Sequence, residues 1–104
     1  MESFYELDDI LSTIAEDEYY ADFLNTKSLE AGIIRLRKGQ RDTQTSHPLD
    51  EIYYIIKGEG HIRINGKDRR VGPGTILYIQ SGVEHNFYGN QGDLIIFYAF
   101  SKGK

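Results

Sequence analysis

Turn signals built on glycine cut residues 57–93 into pieces too short for ordinary helices. They fall at Gly58-Glu59-Gly60, Asn65-Gly66, Gly72-Pro73-Gly74, Ser81-Gly82 and across 89–92. The pieces between them have strand character. His61, Arg63 and Asn65 alternate with Ile62 and Ile64, the period of two that puts polar and apolar side chains on opposite faces of a strand. Asn65-Gly66 is a type I′ hairpin signal, because both central residues of that turn need positive φ. Strands are therefore expected over 61–65, 67–71, 75–79 and 84–88, with a further strong one over 93–100. A dense apolar and aromatic run over 47–57 is another, with Pro48 marking its start or an edge, since proline cannot donate to a ladder. Upstream, Ile33, Arg35 and Arg37 share one face of a strand over 28–37, and Gly32, Ile34 and Leu36 share the other. Seven or eight short antiparallel strands with regular turns predict an all-β sandwich or jelly-roll barrel.

The N-terminal stretch differs. Ser3 and Glu6 have capping-box spacing, and Leu7, Ile10, Leu11 and Ile14 form one helical stripe. A helix is expected over 5–16. Residues 17–26 are ambiguous, with Tyr19, Tyr20, Phe23 and Leu24 packing on the barrel exterior or at a subunit interface. The expected organisation is a helical segment over 1–27, packed on a barrel over 28–104. A chain of 104 residues holds one core, and dimerisation is a reasonable extra source of stability.

Charge and composition exclude several functions. Residues 1–30 carry nine acids and one lysine, whereas the remainder is mildly basic; the net charge is −4. That balance argues against nucleic-acid binding, which needs a basic stripe. There is no cysteine, so disulfides, thiolate metal sites and thiol catalysis are excluded. The acidic N-terminus lacks signal-peptide features, and no apolar run approaches the roughly 20 residues of a membrane span. The expectation is a cytoplasmic protein with neither nucleic-acid nor membrane partners.

His47, Glu51 and His85 are the residues with metal-ligand chemistry. On a regular strand His47 and Glu51 share a face, but their Cβ atoms lie roughly 13 Å apart at about 3.3 Å per residue. One ion could join them only if the strand begins irregularly, as Pro48 allows. Spacing alone leaves open whether these are ligands or ordinary side chains.

Two longer patterns bear on that choice. Gly39, five residues, Thr45-x-His47, three residues, Glu51, six residues and Gly58 make the first; Gly74, five residues, Gln80-x-Gly82, two residues, His85, three residues and Gly89 make the second. Fifteen residues separate Gly58 from Gly74. Together they resemble the paired motifs of the cupin superfamily over residues 30–100. The run Asp42-x-Gln44-x-x-His47-x-x-Asp50-Glu51 is similar to that of a group of small bacterial and archaeal cupins. The resemblance implies a jelly-roll barrel with a short N-terminal helix, a homodimer, and one divalent transition metal (Fe, Ni, Zn or Mn) held by His47, Glu51 and His85. Three positions depart from the motifs: Thr45 stands for a ligating histidine, Gln80 for a proline and Gly89 for an asparagine. A neutral hydroxyl coordinates divalent ions weakly, and the nearby Gln44 amide is a substitute donor. Thr45, Tyr53, Tyr78, Phe87, Phe97 and Arg35 are candidates to line a cavity for a small-molecule ligand.

Two histidines and a carboxylate are the donor set of non-haem iron oxygenases, and also suit other divalent metals. The implied functions are a metal-dependent dioxygenase or related small-molecule enzyme, a non-catalytic binding or sensing barrel, or a metal-independent isomerase or epimerase with a histidine base. His61 is expected to be exposed.

Overall fold

The computed structural model describes residues 3–45 and 48–102. His47 therefore lies outside the described residues. A short helix α1 (Leu7–Leu11) precedes eight strands: β1 (Tyr20–Asn25), β2 (Leu29–Leu36), β3 (Glu51–Lys57), β4 (Gly60–Ile64), β5 (Lys67–Val71), β6 (Ile76–Ile79), β7 (His85–Tyr88) and β8 (Leu94–Ser101). They form a five-stranded sheet in the order β1-β2-β8-β3-β6 and a three-stranded sheet in the order β5-β4-β7. Every described pairing is antiparallel. This is the expected all-β jelly roll.

The core lies between the sheets. Leu36, Tyr53, Ile55, Ile62, Leu94 and Ile96 are fully enclosed there, with Phe87 and Tyr98 beside them. Each such side chain contributes about 1.5–3 kcal/mol relative to exposure. The hairpin signal is realised: Asn65 and Gly66 take φ of 51° and 82° between β4 and β5.

A second, smaller core covers the outside of the large sheet. Leu7, Ile10, Leu11 and Ile14 pack on Ile33, Ile95, Phe23 and Phe97. The apolar stripe of the N-terminal segment is thus correct, but the helix over 5–16 is not. It stops at Leu11 because Ser12 and Thr13 turn their hydroxyls back onto the carbonyls of Asp9 and Ile10, both at 2.7 Å, and compete with continued helix. Glu6 occupies the N-cap without a side-chain cap, so the Ser3–Glu6 capping box does not form. Residues 1–27 also contain β1, which extends the sheet as an edge strand.

Arg35 and Arg37 lie on this outer side. Arg35 pairs with Asp93 at 3.2 Å. Arg37 Nη1 donates to the carbonyls of Ala15, Glu16 and Glu18 at 3.2–3.4 Å, closing the turn after the helix. Arg35 is accordingly not a cavity residue; the alternate face, carrying Ile34 and Leu36, points inward. Phe97 belongs to the outer core, and Tyr78 is 62% exposed on the outer face of β6. Neither lines the barrel. His61 is half-buried, not exposed. Its ring stacks on Tyr88, centroids 5.4 Å apart, and a Cβ at Gly89 would lie 3.0 Å from its Nδ1. A side chain at 89 would crowd that imidazole.

Candidate functional site

The sheet register builds the site. Across the inner face, Asp22 pairs with Gly32, Gly32 with Tyr98 and Tyr98 with Tyr53. One step along, Glu30 pairs with Phe100, and Phe100 with Glu51. These rows bring carboxylates from β1, β2 and β3 around the aromatic side chains of β8. His85 approaches from the facing sheet at the start of β7.

Glu51 and His85 are buried, at 4% and 2% exposure, and meet with Oε1 to Nε2 at 3.4 Å. The other imidazole nitrogen, Nδ1, donates to the Val83 carbonyl at 2.9 Å. A carbonyl only accepts, so this bond places the Nδ1 proton and aims Nε2 into the barrel. Tyr53 links the pair to the preceding loop. Its hydroxyl lies 2.9 Å from His85 Nε2 and donates to Gln44 Oε1 at 3.0 Å. Gln44 is held in turn by Asp42: Gln44 Nε2 donates to Asp42 Oδ2 at 2.8 Å, and the same oxygen accepts the Phe87 amide at 2.8 Å. The Gln44 amide oxygen therefore serves the Tyr53 hydroxyl.

Protonation is set by this chain of bonds. Burial alone would lower the His85 pKa, but the hydrogen bond to Glu51, the Val83 carbonyl and the charges of Glu51 and Asp42 outweigh it and raise it. Burial, then the charge of Glu51 and a hydrogen bond to it, push the Tyr53 phenol far above its ordinary range. With Tyr53 donating to Gln44, a hydrogen bond from His85 to the Tyr53 oxygen needs a proton on Nε2, which the raised pKa favours.

A cavity of about 310 Å³ opens beside this cluster. Gln44, Thr45 and Glu51 form one side; Tyr19, Tyr20, Asp22 and Glu30 form the other; Ile34, Tyr98 and Phe100 complete it. Of the residues singled out from sequence as cavity candidates, Thr45 lines this cavity. Tyr53 and Phe87 sit in the core behind it, their rings 5.0 Å apart and nearly perpendicular. Among the described residues no group of three or more His, Asp or Glu side chains is arranged to hold a metal. His85 and Glu51 are brought together; the position of His47 lies outside the described residues.

Sequence reasoning did not find Asp22, Tyr98 or Asn90. Tyr98 Oη donates to Asp22 Oδ1 through space left by Gly32, where a Cβ would lie 2.2 Å from that hydroxyl. The two residues are separated by 76 positions, a distance no local pattern spans. Asn90 is buried and donates to the Leu36 and Gly92 carbonyls, both at 2.9 Å. It anchors the loop one residue beyond the motif position occupied by Gly89.

The Tyr98–Asp22 bond has a measurable pH signature. Burial, then the hydrogen bond to Asp22 and the charge of Asp22, drive the Tyr98 phenol far above its ordinary value. An unfolded tyrosine ionises near pH 10. Above that pH the folded state holds more protons than the unfolded state, so stability falls as pH rises. The contribution is intact below about pH 10 and is lost towards the folded value, at about 1.4 kcal/mol per pH unit for each such tyrosine. Urea unfolding at about pH 9 and about pH 11 should show this loss, and Tyr98→Phe should reduce it. An identical pH slope in the variant would refute the assignment.

The comparisons agree with this architecture. A family model described as the cupin domain matches residues 32–99. An uncharacterized protein of Streptomyces coelicolor is 31% identical over 87 residues, covering 84% of this chain and 83% of that protein. KdgF from Halomonas sp. superposes with a TM-score of 0.72 at 22% identity, over 82% of this chain and 78% of that one. An uncharacterized conserved protein with a double-stranded β-helix domain, from Klebsiella pneumoniae, superposes with a TM-score of 0.85 at 17% identity, over 100% of this chain and 93% of that one. At these identities the solved structures show a shared fold.

Proposed function

The chain belongs to the cupin domain family, and on that premise we propose a small-molecule enzyme built around one divalent transition metal held by His85, Glu51 and His47. The observation that carries this reading is the buried meeting of His85 Nε2 with Glu51 Oε1 at 3.4 Å. Two donors bonded to one ion at about 2.1 Å stand about 3.0–3.4 Å apart for angles between square and tetrahedral. The Val83 carbonyl holds His85 through Nδ1, the outer support that orients a ligating imidazole. The histidine nitrogen and the carboxylate thus fit a metal, and His47 completes the proposed set.

A bound metal would supply Lewis acidity and open positions for substrate or dioxygen. The chain itself contributes the rest. Glu51 and His85 are buried in the wall of the barrel. Tyr53, kept neutral by burial, presents its hydroxyl between His85 and Gln44. Gln44 and Thr45 line the cavity and would orient a ligand there.

The second reading is a binding barrel without turnover. Thr45 favours it, because it puts a weak donor at a motif ligand position. The third reading, a metal-independent isomerase or epimerase, has less to recommend it, since the described residues lining the cavity include no lysine or arginine to grip a phosphate.

Elemental analysis of protein purified without tag or chelator tests the proposal. About one equivalent of metal is expected. If none is present, and none is taken up from Fe²⁺, Ni²⁺, Zn²⁺ or Mn²⁺, the metalloenzyme reading fails. Iron, together with oxygen consumption on an oxidisable substrate, would favour the enzyme; a loaded but inert protein that binds small molecules would favour the second reading.

A further inference from the structure

We propose that the bare half of the large sheet's outer face seats a second copy of this chain, packed face to face about a two-fold axis that runs across β3 and β6. The proposal involves neither the cavity nor a metal.

The first feature is an apolar face that is covered only in part. Over β2 and β8 the N-terminal segment covers it, with Leu7, Ile10, Leu11 and Ile14 packed on Ile33, Ile95 and Phe97. Over β3 and β6 the face is bare among the described residues. Ile52 and Tyr54 are 45% and 44% exposed, and Ile76 and Tyr78 are 64% and 62% exposed. In register Ile52 stands beside Tyr78, and Tyr54 beside Ile76, so the four form one patch. Through Ala99 and Phe97 of β8 it is continuous with the covered half. β6 is also the end strand of its sheet, and an exposed apolar strand at a sheet edge is a liability in a monomer.

The second feature is area. At about 150–250 Å² for a whole aromatic side chain, the four residues expose roughly 400 Å², the size of a functional patch on a monomer. Apolar surface makes up about two-thirds of a homodimer interface. The patch and its polar rim then come to roughly 1,200 Å² over both copies, which clears the approximate threshold for a specific interface.

The third feature is self-complementarity. A two-fold axis lying between the copies and across the strands reverses strand direction and lays β3 on β3 and β6 on β6. Centred on Tyr53 and Leu77, which are register partners, it sets Ile52 of one copy over Tyr54 of the other, and Ile76 over Tyr78. Every tyrosine of the patch then meets an isoleucine. The same reversal brings Asp50, exposed just before β3, close to Lys57 of the other copy, exposed at the far end of that strand. Opposite charges therefore meet twice at the rim. Asp50 is held there by the Ser81 amide, which donates to it at 2.9 Å. An axis along the strands would set Asp50 against Gln80 instead, since Glu51 pairs with Ile79, and would lose both charge pairs. Charge thus selects the axis across the strands.

Sedimentation velocity of the full chain at about 5 and about 200 µM, metal-free and with Zn²⁺ added, tests the proposal. A dimer is expected at the higher concentration in both forms. Ile76→Lys and, separately, Tyr54→Lys put a charge on the bare face and should leave a monomer, with a dispersed amide spectrum verifying the fold. Lys57→Glu should weaken the dimer by about tenfold, because two rim attractions become repulsions. Asp50→Asn keeps an acceptor for Ser81 and should weaken it less; in that background Lys57→Glu should lose most of its effect. A wild type that stays monomeric at the higher concentration overturns the proposal, as does a dimer unaffected by Ile76→Lys and Tyr54→Lys. A dimer broken by those variants but indifferent to Lys57→Glu overturns the packing about this axis.

Discussion

Gly58→Ala is expected to cost the barrel about 4 kcal/mol and to bring it close to global unfolding. Gly58 has φ +89°, and a Cβ there would lie 2.1 Å from the Asp93 carbonyl oxygen and 3.1 Å from Leu94 Cα. Both are backbone atoms at the start of β8, the strand that pairs with β2 and β3 in the middle of the large sheet. They cannot rotate aside as a side chain could. Alanine at positive φ costs about 1–2 kcal/mol by itself, and forcing the backbones apart adds about 1–3 kcal/mol or more. A small domain has only about 5–15 kcal/mol in total. Gly82→Ala is the matched control: its φ is +79°, but nothing lies within 4 Å of the added Cβ. It should lose only the backbone share. Urea unfolding monitored by far-ultraviolet circular dichroism separates the two. Equal losses would mean that the approach of residue 58 to β8 does not limit stability.

That glycine shows what the sequence could and could not reveal. Its place as a turn residue was legible, because short alternating runs on either side demand a break. The close approach to Asp93 was not, since the contact spans the chain. Strand alternation was similarly readable as a period and ambiguous as a direction. Ile33, Arg35 and Arg37 do share a face, but both faces of β2 are apolar enough to be covered. The inner face packs in the barrel and the outer one under α1, so the arginines fall outside and Arg35 leaves the cavity. Phe97 likewise falls on the outer side, under the N-terminal segment. β1 was hidden by its position: an edge strand exposes one side, and the register shift between Asp22 and Leu24 interrupts its alternation. In the site, His85 and Glu51 were legible through motif spacing. The Asp42–Gln44–Tyr53 chain was not, because its members lie on separate elements joined only by folding.

Removing that chain at either end yields the second large effect, on metal affinity. His85→Ala deletes a proposed ligand and should weaken Zn²⁺ binding by more than about a hundredfold, beyond the usual cost of losing an outer partner. His47→Ala should behave alike. Glu51→Gln keeps the shape but removes the anionic donor, and should fall in the same range. Asp42→Ala acts differently, because Asp42 only positions. Its carboxylate holds the Phe87 amide and both the main-chain and side-chain nitrogens of Gln44, at 2.8–3.2 Å. Losing these costs about 3 kcal/mol of stability, loosens the Gln44 support of Tyr53, and should weaken the metal by about 10–100-fold. Competition against a chromogenic chelator gives the affinities, and urea unfolding of metal-free protein gives the stabilities. His61→Ala, whose imidazole stacks on Tyr88 away from the cavity, should leave metal affinity unchanged. Wild-type metal binding in His85→Ala would show that the ion sits elsewhere. A destabilised Asp42→Ala with undiminished affinity would restrict Asp42 to holding the loop on β7. If Asp42 reaches the metal only through Gln44, Tyr53 and His85, the affinities form a graded series, with the ligand variants lowest and Asp42→Ala between them and His61→Ala.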